Sequence, residues 1–145
     1  MRVFLDAAVF VQTWDLRKKE AQARTAVLEL LQRTDLELVT SSLIVGQVFS
    51  ALWKANEGLE DLRERHRRSA AAALKVVPLS TLTVGAREIA EGIAFAGKHK
   101  FQFWDAVNWT TAQFGDCEWY ASFDAPGNPQ KFNGVKYFDV LAPPL

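Results

Sequence analysis

Short apolar runs alternate along this chain with stretches of helical periodicity, and that alternation restricts the fold more than any other feature of the sequence. Two strands separated by a helix cannot close a tight hairpin, so the strands are expected to run parallel with helices packed on both faces of the sheet. The first run, Arg2 to Asp6, is apolar and ends in an acid, as a buried parallel strand does when its carboxyl end opens onto a site. Helical spacing follows from Leu16 to Leu31, with Ala23, Ala26, Val27, Leu30 and Leu31 on one stripe. Leu36 to Thr40 alternates as a second strand. Thr40-Ser41-Ser42 then offers an N-cap to a helix whose Ile44, Val48, Phe49, Ala51 and Leu52 form a wide apolar face, ending near Gly58. Further helices are expected over Glu60 to Leu74, over Thr81 to Gly97 with Thr83 as cap, and over Phe101 to Phe114. Strands are expected at Val76 to Leu79, at Trp119 to Phe123 and at Val135 to Val140, with Pro126-Gly127-Asn128-Pro129 breaking regular structure between the last two.

With 145 residues and no repeat or linker, the chain is expected to form one domain, residues 1–145, built as three α/β/α layers around a central parallel sheet. No stretch approaches the roughly 20 apolar residues of a membrane-spanning helix. Asp6 also interrupts the opening run too early for a secretory leader, which gives an expectation of a cytoplasmic protein with no membrane partner. Seventeen basic and seventeen acidic side chains cancel, so no global field draws nucleic acid, and any RNA contact has to come from local patches. Cys117 stands alone and, with no Cys or His at ligand spacing, reads as a packing residue rather than a zinc ligand. Nucleophile elbows and phosphate-binding Gly-rich loops are absent, and neither His66 nor His99 lies in a nucleophile motif.

The acids carry more information. Ligands of open α/β sheets bind beyond the carboxyl ends of the strands, and Asp6 and Asp124 both follow predicted strands. Asp105, in the first turn of its helix, can lean into the same crevice. Three carboxylates there would repel one another unless neutralised, and a hard divalent cation with oxygen ligands, Mg²⁺ or Mn²⁺, would do so. A single Asp after a strand or at a helix start is more often a cap or turn residue, so the weight lies on the combination.

These residues resemble the PIN-domain nucleases, including the toxins of VapBC-type toxin-antitoxin pairs. Val3-Phe4-Leu5-Asp6-Ala7 is similar to that family's first motif, Ser41 to Val48 to its second, Phe103-Trp104-Asp105-Ala106 to its third and Ser122-Phe123-Asp124 to its fourth, and together they span nearly the whole chain. The resemblance implies a metal-dependent endoribonuclease with Asp6, Asp105 and Asp124 as metal-binding acids and Ser122 as the small hydroxyl residue before the last of them. It also implies a homodimer and a small antitoxin partner. The second motif departs from the family: Gln47 stands where a glutamate is expected. Gln keeps the shape and offers a carbonyl oxygen, but it brings no charge and adds an NH₂ donor that a cation repels. Three explanations stand side by side: a native variant that still binds metal, a silenced nuclease that binds RNA or protein, or a substitution introduced to suppress toxicity. Read without the resemblance, Gln47 is an amide at the edge of its helix's apolar face.

Lys98 and Lys100, shortly before Asp105, are candidates for phosphate contact, whereas Arg63, Arg65, His66, Arg67 and Arg68 spread around a helix and read as a solvated face. Trp104, Trp109 and Trp119 could stack on unpaired bases, although most aromatics belong in the core. Phe49, Trp53 and Leu59 are candidates for a protein-binding surface. Other doubly wound domains fit less well: a haloacid-type phosphatase wants an Asp-x-Asp where Asp6-Ala7-Ala8 stands, and a phospho-receiver wants an early acidic pair.

Overall fold

The computed structural model describes residues 1–14, 21–76, 79–123, 129 and 131–144. Its elements, in chain order, are β1 (Arg2–Leu5), α1 (Ala7–Trp14), α2 (Ala21–Leu31), β2 (Glu37–Ser41), α3 (Ser42–Ala55), α4 (Glu60–Val76), β3 (Leu79–Leu82), α5 (Ala86–His99), α6 (Phe103–Phe114), β4 (Trp119–Ser122), β5 (Lys131–Phe132) and β6 (Val135–Asp139). One sheet holds all six strands in the order β3-β2-β1-β4-β6-β5, and every pairing is parallel except β5 with β6. The order explains the layers. From β1 to β2 to β3 the chain steps toward one edge, and from β3 it crosses back over the sheet to β4. Right-handed crossovers therefore place α1 to α4 on one face and α5 with α6 on the other. The architecture is the three-layer α/β/α arrangement expected from the alternation.

β1 has neighbours on both sides, Val3 facing Leu38 of β2 and Trp119 of β4, and its Val3, Phe4 and Leu5 are fully buried. A strand covered on both faces has to be apolar throughout, which is why this run reads as continuous rather than alternating. β3 is an edge strand with a half-exposed Leu-Ser-Thr-Leu sequence. The core consists mainly of Leu, Val, Ile and Phe from the sheet and the inner helix faces, and Cys117 is buried within it as a small packing residue.

Several boundaries differ from the sequence expectation. Asp6 is followed at once by a helix, α1, that the sequence reading did not anticipate, and the helix expected from Leu16 to Leu31 is α2, described from Ala21 to Leu31, with residues 15–20 outside the described set. The third strand lies at Leu79–Leu82 rather than from Val76, because these residues find parallel partners in Leu38 to Ser41 while Val76 closes α4. As a result Thr83 does not cap α5. That helix begins at Ala86, where the Gly85 N–H donates to Glu88 Oε2 at 2.8 Å. α5 runs past Gly97 to His99 and stops at Lys100, which adopts the left-handed conformation with φ 56°. β5 was not anticipated. Asn133 and Gly134, with φ of 45° and 93°, form the two-residue turn whose twist suits a hairpin, and this folds an antiparallel edge strand back onto β6.

Gly92 sets how closely the two helices on the second face approach. A Cβ built there would lie 2.6 Å from Val107 Cγ2 and 3.0 Å from Val107 Cα, and Val107 is fully buried. Exchanging a helical glycine for alanine ordinarily gains about 1 kcal/mol, but overpacking against backbone costs about 1–3 kcal/mol or more. Gly92→Ala is therefore expected to lower the unfolding free energy by up to about 2 kcal/mol in urea denaturation. A more stable variant would show that α5 and α6 have room between them.

Candidate functional site

Asp6 leaves β1 at its carboxyl end and starts α1 in the same residue. Its N–H donates to Ala121 O of β4 at 3.0 Å, its carbonyl accepts from Val9, and its carboxylate takes the N–H groups of Ala7 and Ala8 as a helix cap would. The same carboxylate is held from β4 as well. Tyr120 Oη donates to Oδ1 at 2.8 Å and Ser122 Oγ donates to Oδ2 at 2.9 Å. Tyr120 and Ser122 are two apart on a strand and so face the same side, the side on which Asp6 stands. The end of β4 is fixed in turn by β6, since Ser122 O accepts from Tyr137 Oη at 3.0 Å and from the Val140 N–H at 3.2 Å.

The neighbouring strand delivers the second motif to the same end of the sheet. Thr40 Oγ1 donates to Leu5 O at 3.0 Å, which ties the end of β2 to the end of β1. Ser41 then caps α3 by accepting from the Ile44 N–H at 3.1 Å. Along α3, Ile44, Val48 and Leu52 are buried, and Gln47 lies half-buried at the edge of that stripe. From the other face, α6 brings Asp105 in its first turn and Asn108 one turn later on the same side. Asp105 acts electrostatically on the Tyr120 hydroxyl, as Asp6 does, and the Asn108 side chain is within hydrogen-bonding reach of that hydroxyl. Three side chains thus converge on one phenol oxygen: Asp6 from the end of β1, and Asp105 and Asn108 from α6.

The electrostatics follow from this crowding. Burial lifts the Asp6 carboxyl above its ordinary value, against the opposing pull of hydrogen bonds from Tyr120, Ser122, Ala7 and Ala8. Burial, reinforced by the charges of Asp6 and Asp105, pushes the Tyr120 phenol well above its usual range, so it stays protonated and a donor. No cationic group figures among the described influences on Asp6. A desolvated carboxylate and a second carboxylate acting on the same phenol, with hydroxyl and amide groups beside them, are a donor set suited to a hard divalent ion. Among the described residues no three His, Cys, Asp or Glu side chains form a cluster able to hold a metal. Asp124, the remaining acid of the expected set, lies outside the described residues.

The other sequence candidates are distributed as follows. Ser122 is fully buried and its hydroxyl is engaged with Asp6. Lys98 and Lys100 are exposed around the C-terminal end of α5, where Lys98 borders a hollow with Phe95, His99 and Phe132. Trp109 is closed off in the core, stacked on Tyr120 at 4.2 Å, and is not available to a base. Trp104 is about half exposed, while Trp119 is partly covered, with Lys136 over its ring. The arginines of the basic run on α4 lie toward solvent, where Arg63 pairs with Glu60, and Arg67 and Arg68 both pair with Glu64, whose carboxyl is held down to about 2 by those hydrogen bonds. His66, expected on the same solvated face, is instead buried against Asn56. Tyr120 and Asn108 were missed by the sequence reading. Their signals were present as an i−2 relation to Ser122 on a strand and an i+3 relation to Asp105 on a helix.

Comparison with solved structures places this geometry. The chain superposes on VapC20 of Mycobacterium tuberculosis, a sarcin-ricin loop cleaving toxin, with a TM-score of 0.69 at 16% identity, covering 92% of this chain and 98% of that one. VapBC2 from Rickettsia felis, solved with a DNA fragment from its promoter, gives 0.68 at 9% identity over 96% and 98% of the two chains. This is the PIN-domain fold of the VapC toxins. VapBC-1 from nontypeable Haemophilus influenzae gives 0.65 at 14% identity, covering 98% of this chain and all of that one. No protein-family profile and no curated protein matches the sequence. At these identities the likeness is one of fold, and the chain's chemistry has to be argued from its own residues.

The raised carboxyl of Asp6 fixes the sign of a pH effect. Since the folded value lies above the ordinary 3.8, the stability that Asp6 contributes is fully present below 3.8 and is lost as pH climbs through the folded value. Asp6→Asn removes the buried charge while keeping the shape. It is expected to melt at a higher temperature than the parent at pH 7 and at nearly the same temperature at pH 3, measured by thermal denaturation at the two pH values. Equal melting temperatures at pH 7 would mean that the carboxylate is not held against burial.

Proposed function

We propose that this PIN domain is a metal-dependent endoribonuclease and acts as the toxin of a toxin-antitoxin pair. The observation that carries the reading is the approach of two carboxylates, Asp6 and Asp105, to one buried phenol hydroxyl at the carboxyl end of the sheet. In this reading Asp6 and Asp105, with Asp124, hold Mg²⁺ or Mn²⁺. The bound ion would lower the pKa of a water toward neutrality and offset charge on the leaving oxygen of a phosphodiester. Asp6 is kept in place by its donors, so the orientation of its carboxylate is fixed. Gln47 contributes a neutral carbonyl oxygen at most, which makes the site less anionic than one with four carboxylates. In this reading the exposed Lys98 and Lys100 would meet phosphates approaching from solvent.

Partners are proposed on similar grounds. VapBC-1 and a Klebsiella pneumoniae structure described as a toxin-antitoxin complex share the fold. On this chain Trp53 and Leu59 are each 53% exposed, and Phe49, Leu52 and Trp53 line a hollow between α3 and α4. We take this apolar surface to belong to a small antitoxin or to a second copy of the chain. The alternative, a silent PIN domain that only binds RNA or protein, is favoured by one observation, Gln47.

The test is cleavage of a panel of structured RNAs by the chain as it stands, with Mn²⁺ or Mg²⁺, alongside Asp105→Asn and Gln47→Glu. The expected outcome is metal-dependent cleavage that disappears in Asp105→Asn, with Mn²⁺ binding tightened by Gln47→Glu. No cleavage by either the parent or Gln47→Glu would sink the nuclease reading and leave the silent domain.

A further inference from the structure

The Tyr120 hydroxyl is held more firmly than a core tyrosine requires. Its ring lies between Phe4, at 5.5 Å and 18°, and Trp109, at 4.2 Å and 10°, so aromatic stacking on both faces leaves the phenol no freedom to swing. Tyr120 is 1% exposed and directs its proton to Asp6 Oδ1 at 2.8 Å. Ser122 occupies the other carboxylate oxygen at 2.9 Å. The Ala7 and Ala8 N–H groups reach the same carboxylate, so four donors together fix its orientation.

Asn108 adds a second constraint. It is 2% exposed on the inner side of α6 among Ala106, Val107, Trp109 and Ala112, where an amide is out of place. Its side chain reaches the Tyr120 hydroxyl, and its Oδ1 has no hydrogen-bond partner. An amide NH₂ given to the phenol oxygen occupies that oxygen as acceptor and leaves the phenol proton only one use, donation to Asp6. A leucine would fill this space in the core without stranding a carbonyl oxygen.

We propose that Asn108 and Tyr120 form a positioning relay that orients the Asp6 carboxylate toward a divalent cation, Asn108 fixing the phenol and the phenol fixing Asp6. The inference rests on the metal-binding reading of Asp6 given above and assigns roles to two residues outside that set of acids. Groups that hold a metal ligand from behind commonly change metal affinity by about 10–100-fold when removed.

Mn²⁺ titration by calorimetry, with the metal alone and the full chain, tests the relay in Tyr120→Phe, Asn108→Leu and Asp6→Asn. Tyr120→Phe keeps the stacked ring and Asn108→Leu keeps the volume. The two lie on different elements, so a folding failure of one leaves the other to decide, with near-ultraviolet circular dichroism reporting packing. The expected result is Mn²⁺ affinity about 10–100-fold weaker in both variants, with packing intact. It is joined by a slowly exchanging Tyr120 hydroxyl proton in the NMR spectrum that is absent from Tyr120→Phe and displaced in Asn108→Leu without metal. Parent-like Mn²⁺ binding by both folded variants, with binding lost in Asp6→Asn, overturns the relay and leaves the metal site standing. A parent chain that binds no Mn²⁺ overturns the metal reading, and the relay with it.

Discussion

The central strand β1 is paired on both sides and buried on both faces, yet it ends in a charge. A carboxylate cannot remain at such a position without donors, and the surroundings of Asp6 answer that need. The start of α1 supplies backbone N–H groups, and β4 supplies two hydroxyls. α6 then stands behind one of those hydroxyls with Asn108 and brings Asp105 to the same place. Sheet order, helix entry and site geometry are thus linked through a single side chain.

That arrangement costs stability. Asp6 would be easier to bury without its charge, as the raised carboxyl shows, and the unpartnered Oδ1 of Asn108 is a second loss taken in the same small volume. Elsewhere the core follows ordinary packing, with apolar side chains from both helix layers meeting the sheet and Gly92 letting α5 and α6 approach closely. Unfavourable groups gathered at the carboxyl end of a parallel sheet are the usual mark of a ligand site, since such positions give up stability for chemistry.

The surface separates into two kinds. The arginines of α4 are mostly tied to Glu60 and Glu64, and Arg63 also lies over the Trp53 ring at 4.3 Å, so a cluster that looks basic in sequence is largely self-neutralised. Beside it the α3–α4 surface keeps Trp53 and Leu59 open, with the buried Asn56 and His66 side chains 2.9 Å apart joining the two helices beneath it. Exposed apolar side chains over a firmly joined helix pair make a surface suited to another protein more than to a polyanion.

Periodicity and chemistry local to the chain determined much of this protein. Alternating strand and helix runs specify a mainly parallel three-layer domain, and the Ser41 cap and the solvated face of α4 follow from near neighbours in sequence. The carboxylates after β1 and at the start of α6 are legible because strand ends and helix first turns are where such residues meet a ligand. Short-range pattern did not reveal α1, the shifted β3 or the β5 hairpin, since each depends on which backbone groups find partners in the sheet. The roles of Tyr120 and Asn108 were decided only by tertiary structure: one is a strand aromatic and the other a helix amide, 12 residues apart, until β4 and α6 pack face to face. Burial then turns a phenol and an amide that would be unremarkable in water into fixed donors, because in a low dielectric an unpaired polar group is too costly to leave free.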